Sequence, residues 1–122
     1  MNQVEHQSYN HSTDPEKSLE KFAQRVSKLN ILKSGYISFR LTGFGSGDYF
    51  LHCNSGHVQV GQGIPRTAPI IEVIGDASRI LAVLEGRKDA RKQFYAGAFR
   101  VRGHLRYLSD LALELGIIAF PL

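Results

Sequence analysis

The stretch "EGRKDARKQFYAGAFRVRGHLRYLSDL", residues 85–111, changes its hydrophobic period twice, and that change decides the fold. From Asp89, "DARKQFYA" has helical spacing and carries Phe94 toward the core until Gly97 ends it. "AFRVRG" then alternates, with Phe99 and Val101 on one face and Arg100 and Arg102 on the other, as a half-buried strand requires. "HLRYLSDLALELG" returns to the helical period, placing Leu105, Leu108, Leu111, Ala112 and Leu115 on one stripe. The same stretch is cationic: Arg87, Lys88, Arg91, Lys92, Arg100, Arg102 and Arg106 face only Glu85, Asp89 and Asp110. Either these charges grip an acidic partner, or they are the wet side of a domain that works on its dry side.

Working back toward the start, Asp76 or Ser78 can cap a helix in "SRILAVLEG", whose Ile80, Leu81, Val83 and Leu84 turn inward before Gly86 stops it. Ahead of it the period is two. In "YISFRLT", Ile37, Phe39 and Leu41 alternate with Tyr36, Ser38, Arg40 and Thr42. "GFGSG" turns the chain into "DYFLHC", with Tyr49, Leu51 and Cys53 on one side, and "NSG" turns it again into "HVQVG", which buries Val58 and Val60. After a loop with Pro65 and Pro69, "IIEVI" is a further strand, and the short connections predict that these four strands form an antiparallel meander. A first helix opens at Thr13 or Asp14, has Pro15 in its first turn and Leu19, Phe22, Ala23, Val26 and Leu29 at helical spacing, and is predicted to run to between Leu32 and Gly35. Residues 1–13 lack any hydrophobic period and predict a disordered tail; residues 14–122 predict a single domain.

Collecting the strand residues by side gives the architecture. Ser38, Arg40, His52, Gln59, Glu72, Arg100 and Arg102 fall on one sheet face, and Phe39, Leu41, Leu51, Val58, Val60, Ile71, Val73, Phe99 and Val101 on the other. A sheet with one apolar face must be covered there, so all the helices lie on that side. The predicted class is α+β: a five-stranded, largely antiparallel sheet with helices packed on one face.

Composition agrees with a domain that has a core of its own. A chain of 122 residues with 43% hydrophobic residues can bury roughly two-thirds of the surface it exposes when unfolded. The lone Cys53 makes no intramolecular disulfide, and no charged-then-apolar export signal opens the chain, which predicts a reducing, cytoplasmic setting. No apolar run approaches the roughly 20 residues of a bilayer span. The formal net charge of +4 concerns encounter and solubility rather than fold.

The segment "VLEGRKDARKQFYAGAFRVRGHLRYLSDL" resembles the sterol carrier protein type 2 family of lipid-binding domains. The resemblance lies in a helix ending at Gly86, the basic Arg87, a short helix with Phe94, the G-x-F-x-V-x-G run of Gly97, Phe99, Val101 and Gly103, and an amphipathic helix after it. With the helix-then-strands order before it, it covers residues 14–116. It implies an apolar tunnel between sheet and helices that takes fatty acids, acyl thioesters, sterols, phospholipids or isoprenoid molecules; bacterial relatives include accessory factors of isoprenoid quinone synthesis. The residues predicted to line the tunnel are Phe39, Leu51, Val60, Val73, Leu84, Phe94, Phe99, Val101, Leu108, Leu111 and Leu115. "GIIAFPL" either folds Ile117, Ile118 and Phe120 over the tunnel mouth or completes the core. The chain departs from many eukaryotic relatives in ending Phe120-Pro121-Leu122 without their peroxisomal tripeptide, in line with a cytoplasmic, bacterial protein.

No constellation for catalysis is visible. In "HCNSGH", strand alternation turns His52 and Cys53 to opposite faces and His57 begins the next strand, a poor set of zinc ligands, so Cys53 reads as a small buried residue and both histidines as solvent-facing. The glycines of "GFGSGDYF" lead into a strand and not a helix, so neither dinucleotide nor nucleotide phosphate has its binding context; the loop reads as a hairpin connection and a mobile lip of the tunnel. No cofactor and no metal is expected. Nucleic acid is not expected either, because Phe94 and Phe99 point inward and leave only Tyr95 and Tyr107 to stack on bases. Arg87, Lys88, Arg91 and Lys92 either are simply the solvated surface around a helix-helix turn or serve an anionic membrane surface or an acidic partner protein. The alternative to a carrier is an enzyme or accessory factor handling apolar intermediates on the same fold, in which Cys53 and Tyr49 are the first groups to inspect.

Overall fold

A computed structural model describes residues 14–122, and the predicted tail at residues 1–13 lies outside them. The chain runs α1 (Pro15–Val26), β1 (Gly35–Thr42), β2 (Gly47–Asn54), β3 (His57–Gln62), β4 (Ile71–Asp76), α2 (Ala77–Leu84), α3 (Ala90–Tyr95), β5 (Phe99–Gly103) and α4 (Leu105–Glu114). The α+β class is borne out: one five-stranded sheet, order β3-β2-β1-β4-β5, carries the helices on its apolar face.

Three aspartates start helices as expected. Asp14 accepts from the N–H of Lys17, Asp76 from Arg79 and Asp89 from Lys92, so each carboxylate meets a donor that its first helical turn leaves unpaired. The first helix is shorter than its apolar spacing predicts. It stops at Val26 because Ser27 turns its hydroxyl back to the Gln24 carbonyl, 2.8 Å away, and the next amides bond three residues back. Leu29 and Leu32 still pack against the core from the loop.

The strands differ from a four-strand meander. β1, β2 and β3 pair antiparallel in succession, but β4 lies on the other side of β1 and parallel to it, in the register Phe39 with Val73. β5 then pairs antiparallel with β4. The connection at residues 63–70 contains Pro65 and Pro69, which have no N–H to extend a ladder, and its length lets it pass over β2 and β1. It packs beside Ser38, Arg40, Asp48 and Glu72 on the outer face, with which it encloses a cavity of about 240 Å³. The outer face is therefore not uniformly wet: Ser38 is 3% exposed. Farther along the same face, Tyr36 meets Phe50 edge-on and stacks on His52 at 4.5 Å between ring centroids.

The glycines of the G-x-F-x-V-x-G run have separate jobs. Gly97 takes φ +82° directly after α3 and turns the chain into β5. Gly103 takes φ +107°, and a Cβ there would collide with the Ile70 carbonyl oxygen. The N–H of His104 reaches that same oxygen at 2.9 Å, so the close approach fastens the end of β5 to the start of β4.

Candidate functional site

The space between sheet and helices is filled on one half and open on the other. Under β2 the core is packed, with Leu19 of α1 and Leu51 of β2 fully buried and Cys53 1% exposed, and Val58 and Val60 of β3 are partly buried against it. Under β1, β4 and β5 a cavity of about 320 Å³ remains. Its sheet wall is Ile37 and Phe39, Ile71 and Val73, Phe99 and Val101; its helical wall comes from Phe22 and Val26 of α1, Ile80, Val83 and Leu84 of α2, Ala90, Arg91, Phe94 and Tyr95 of α3, and Leu105, Leu108, Leu111 and Ala112 of α4. Leu115, Ile117, Ile118 and Leu122, following α4, complete it.

Nine predicted lining residues stand on this wall: Phe39, Val73, Leu84, Phe94, Phe99, Val101, Leu108, Leu111 and Leu115. Leu51 and Val60 do not, because β2 and β3 lie over the filled half. Alternation along a strand tells which face a residue takes; it carries no information on whether the helix opposite fills that space. Phe94 is on the wall, yet it is 45% exposed rather than turned into the core, and with Tyr95 at 79% and Leu105 at 53% it forms an apolar rim. Of the following segment, Ile117 and Ile118 line the cavity while Phe120 is exposed. The wall residues missed in the sequence from α1 and α2 belonged to visible helical stripes; Arg91 carried no apolar signal at all.

Among the described residues, Arg91 is the one charged residue on that wall. Its Nη2 donates to the carbonyl oxygens of Phe120 and, at 3.0 Å, of Pro121, and the Leu122 N–H donates to Ser109 Oγ at 3.0 Å, so the end of the described chain is strapped beside α3 and α4. The other cations of the opening stretch divide: Arg87 pairs with Glu85 at 2.7 Å and Arg102 with Glu72 at 3.8 Å, while Lys88 and Lys92 are exposed.

The groups inspected for chemistry lie elsewhere. Cys53 and Tyr49 are buried but off the apolar cavity, and burial pushes the Cys53 thiol up to about 11, away from a reactive thiolate. His57 is exposed, whereas His52 is half-buried against Tyr36 and not fully solvent-facing. Tyr107 is 3% exposed and its hydroxyl accepts the Lys33 N–H at 2.7 Å, so it is no stacking surface. The glycine loop between β1 and β2 lies on neither cavity. Among the described residues no His, Cys, Asp and Glu group is placed to hold a metal ion, and no helix is long and apolar enough to cross a membrane.

This layout is a sterol-carrier-protein-like fold, and the solved structures similar to it say so. Sterol Carrier Protein 2 Like 2 from Aedes aegypti matches with a TM-score of 0.61 at 17% identity, over 80% of this chain and 92% of that one. The palmitated form of the same mosquito protein, solved in solution, matches at 0.63 and 15%, over 82% and 92%. UbiJ-SCP2, a ubiquinone synthesis protein, matches at 0.57 and 19%, over 84% and 90%. No family model matches the sequence, and no curated protein matches it significantly.

Proposed function

We propose that this protein binds or presents a hydrophobic ligand in the cavity between its sheet and helices. The observation that carries the reading is the wall itself: about 320 Å³ of space bounded, apart from Arg91 and the Tyr95 hydroxyl, by hydrocarbon. Apolar space of this kind stays dry and favours an apolar occupant, and each methylene transferred into it contributes roughly 0.8 kcal/mol. The volume is within the range of roughly 300–1,000 Å³ typical of small-molecule sites. A neighbour of the same fold solved in a palmitated form supports a fatty guest. The lone, buried Cys53 suits a reducing cytoplasm.

Arg87, Lys88, Arg91 and Lys92 belong to α3 and the turn before it, the segment that also supplies Phe94 and Tyr95 to the rim. Cations beside exposed aromatics suit an anionic bilayer, where each contributes on the order of 1 kcal/mol near the surface, and so favour loading from a membrane over docking on an acidic protein.

A second reading, an accessory factor for apolar biosynthetic intermediates, draws support from the UbiJ-SCP2 likeness. It differs in outcome rather than in site, since the cavity would hold the intermediate in either case.

The test is uptake by delipidated protein. Native mass spectrometry after incubation with palmitate and with a short-chain ubiquinone is expected to show a one-to-one complex. Leu111→Trp, which places a large ring at a wall position 4% exposed, is expected to abolish it while costing roughly 1–3 kcal/mol of stability. No complex with any apolar probe would end the carrier reading.

A further inference from the structure

Arg91 is a cation at the edge of a hydrocarbon-walled space, and its recorded partners are main-chain carbonyls, those of Phe120 and Pro121. Among the described residues no carboxylate stands within ion-pair distance of it. Both carbonyl oxygens accept from Nη2 alone, and neither brings a negative charge to the guanidinium. A carboxylate or phosphate accepts from the same planar fork with two oxygens at once and neutralises it. We propose that Arg91 reads the ligand's head: the guest is an anionic amphiphile whose single apolar tail lies in the cavity and whose acidic group replaces the Phe120 and Pro121 carbonyls on the guanidinium.

The exchange has a structural consequence. Arg91 and the bond from Leu122 to Ser109 hold the segment after α4 beside the cavity, and Leu122 is itself a wall residue that is 64% exposed. Withdrawing Arg91 frees one end of that strap where the ligand enters, so an acidic head opens the mouth that its own tail passes through. A neutral alcohol or sterol lacks the means to displace the carbonyls. The apolar wall then supplies affinity and Arg91 supplies selection by charge, which hydrocarbon alone discriminates weakly.

The inference rests on the cavity being a lipid site, and the test separates the two. Delipidated full-length protein is titrated calorimetrically with palmitate, hexadecyl phosphate and hexadecanol, which share one tail length. Wild type is expected to bind both acids about tenfold or more tighter than the alcohol. Arg91→Gln is expected to bring the three within about threefold, and Arg91→Lys to keep part of the preference, because an ammonium retains the charge without the fork. Exchange of the Leu122 amide, which donates to Ser109 Oγ, is expected to quicken with palmitate and not with hexadecanol. Equal wild-type affinity for acid and alcohol, or an unchanged preference in Arg91→Gln, overturns the proposal and leaves the cavity reading standing. If Arg91→Gln binds none of the three, the wild-type ratio and Arg91→Lys decide. Failure of wild type to bind any of them ends both.

Discussion

The guanidinium of Arg25 in α1 donates to the main-chain carbonyl of Leu115, 2.7 Å away, just beyond α4. Its other nitrogen reaches the Leu84 carbonyl at the end of α2 at 3.0 Å, so one side chain caps two helices that are distant in sequence. The same group lies over the Phe22 ring, 5.9 Å from its centroid. Leu84, Leu115 and Phe22 all border the open half of the interlayer space, and Arg25 is the clasp that keeps the helices around it in register.

Removing that clasp is expected to loosen all three helices. Arg25→Ala should lower stability by about 1–2 kcal/mol, and Arg25→Lys should recover less than half, since one ammonium does not span two carbonyls as a fork does. Urea midpoints at constant slope measure this. A shift within about 0.3 kcal/mol would mean that water serves the two carbonyls equally well.

Ser38 gives the opposite sign. Its Oγ is buried without a partner among the described residues, beneath the crossover and beside Arg40, Asp48 and Glu72. A buried hydroxyl without a hydrogen bond costs roughly 1–3 kcal/mol relative to one in water. Ser38→Ala is therefore expected to raise stability by about 1 kcal/mol in thermal or urea unfolding. A loss of stability would show that the hydroxyl is hydrogen-bonded in solution.

Cys53 makes stability depend on alkaline pH. Burial raises the folded thiol to about 11 from the ordinary 9.0, so between these values the unfolded chain gives up a proton that the folded chain retains. The unfolded state then binds fewer protons, and stability falls as pH rises, by at most about 1.4 kcal/mol per pH unit, with no contribution below pH 8. Cys53→Ala should reduce this slope between pH 9 and 11, leaving the part due to the Tyr107 hydroxyl, which burial also raises. An unchanged slope would assign it to other groups. The same burial predicts that iodoacetamide at pH 8 labels Cys53 only as fast as the sheet opens.

Much of this architecture was legible from residues 85–111 outward. Alternation placed Phe99 and Val101 on one face and Arg100 and Arg102 on the other, and Arg100 and Arg102 are exposed while Phe99 and Val101 face the cavity. Asp76 and Asp89 stood where helices begin, and Gly86 and Gly97 where they end. These signals are local: they come from the backbone's own periods and from the few groups that a helix end leaves unpaired. The placement of β4 was not legible, because a strand's partner is settled by the path of the loop before it, and residues 63–70 carry it past two strands to the far side of β1. Leu51 and Val60 were read as cavity wall for the same reason, since their facing was visible and the helix above them was not.

By itself, then, the order of residues determined which elements form, which side of each is dry, and that all helices share one face of the sheet. Tertiary structure alone decided that the interlayer space is closed under β2 and β3 and open under β1, β4 and β5, that Ser38 is covered, and that Arg91 meets the carbonyls of Phe120 and Pro121. The division has a physical cause. Periodicity is a property of one segment and is set by its backbone geometry, whereas a cavity is the volume left between segments far apart in the chain, and depends on how their unequal side chains meet.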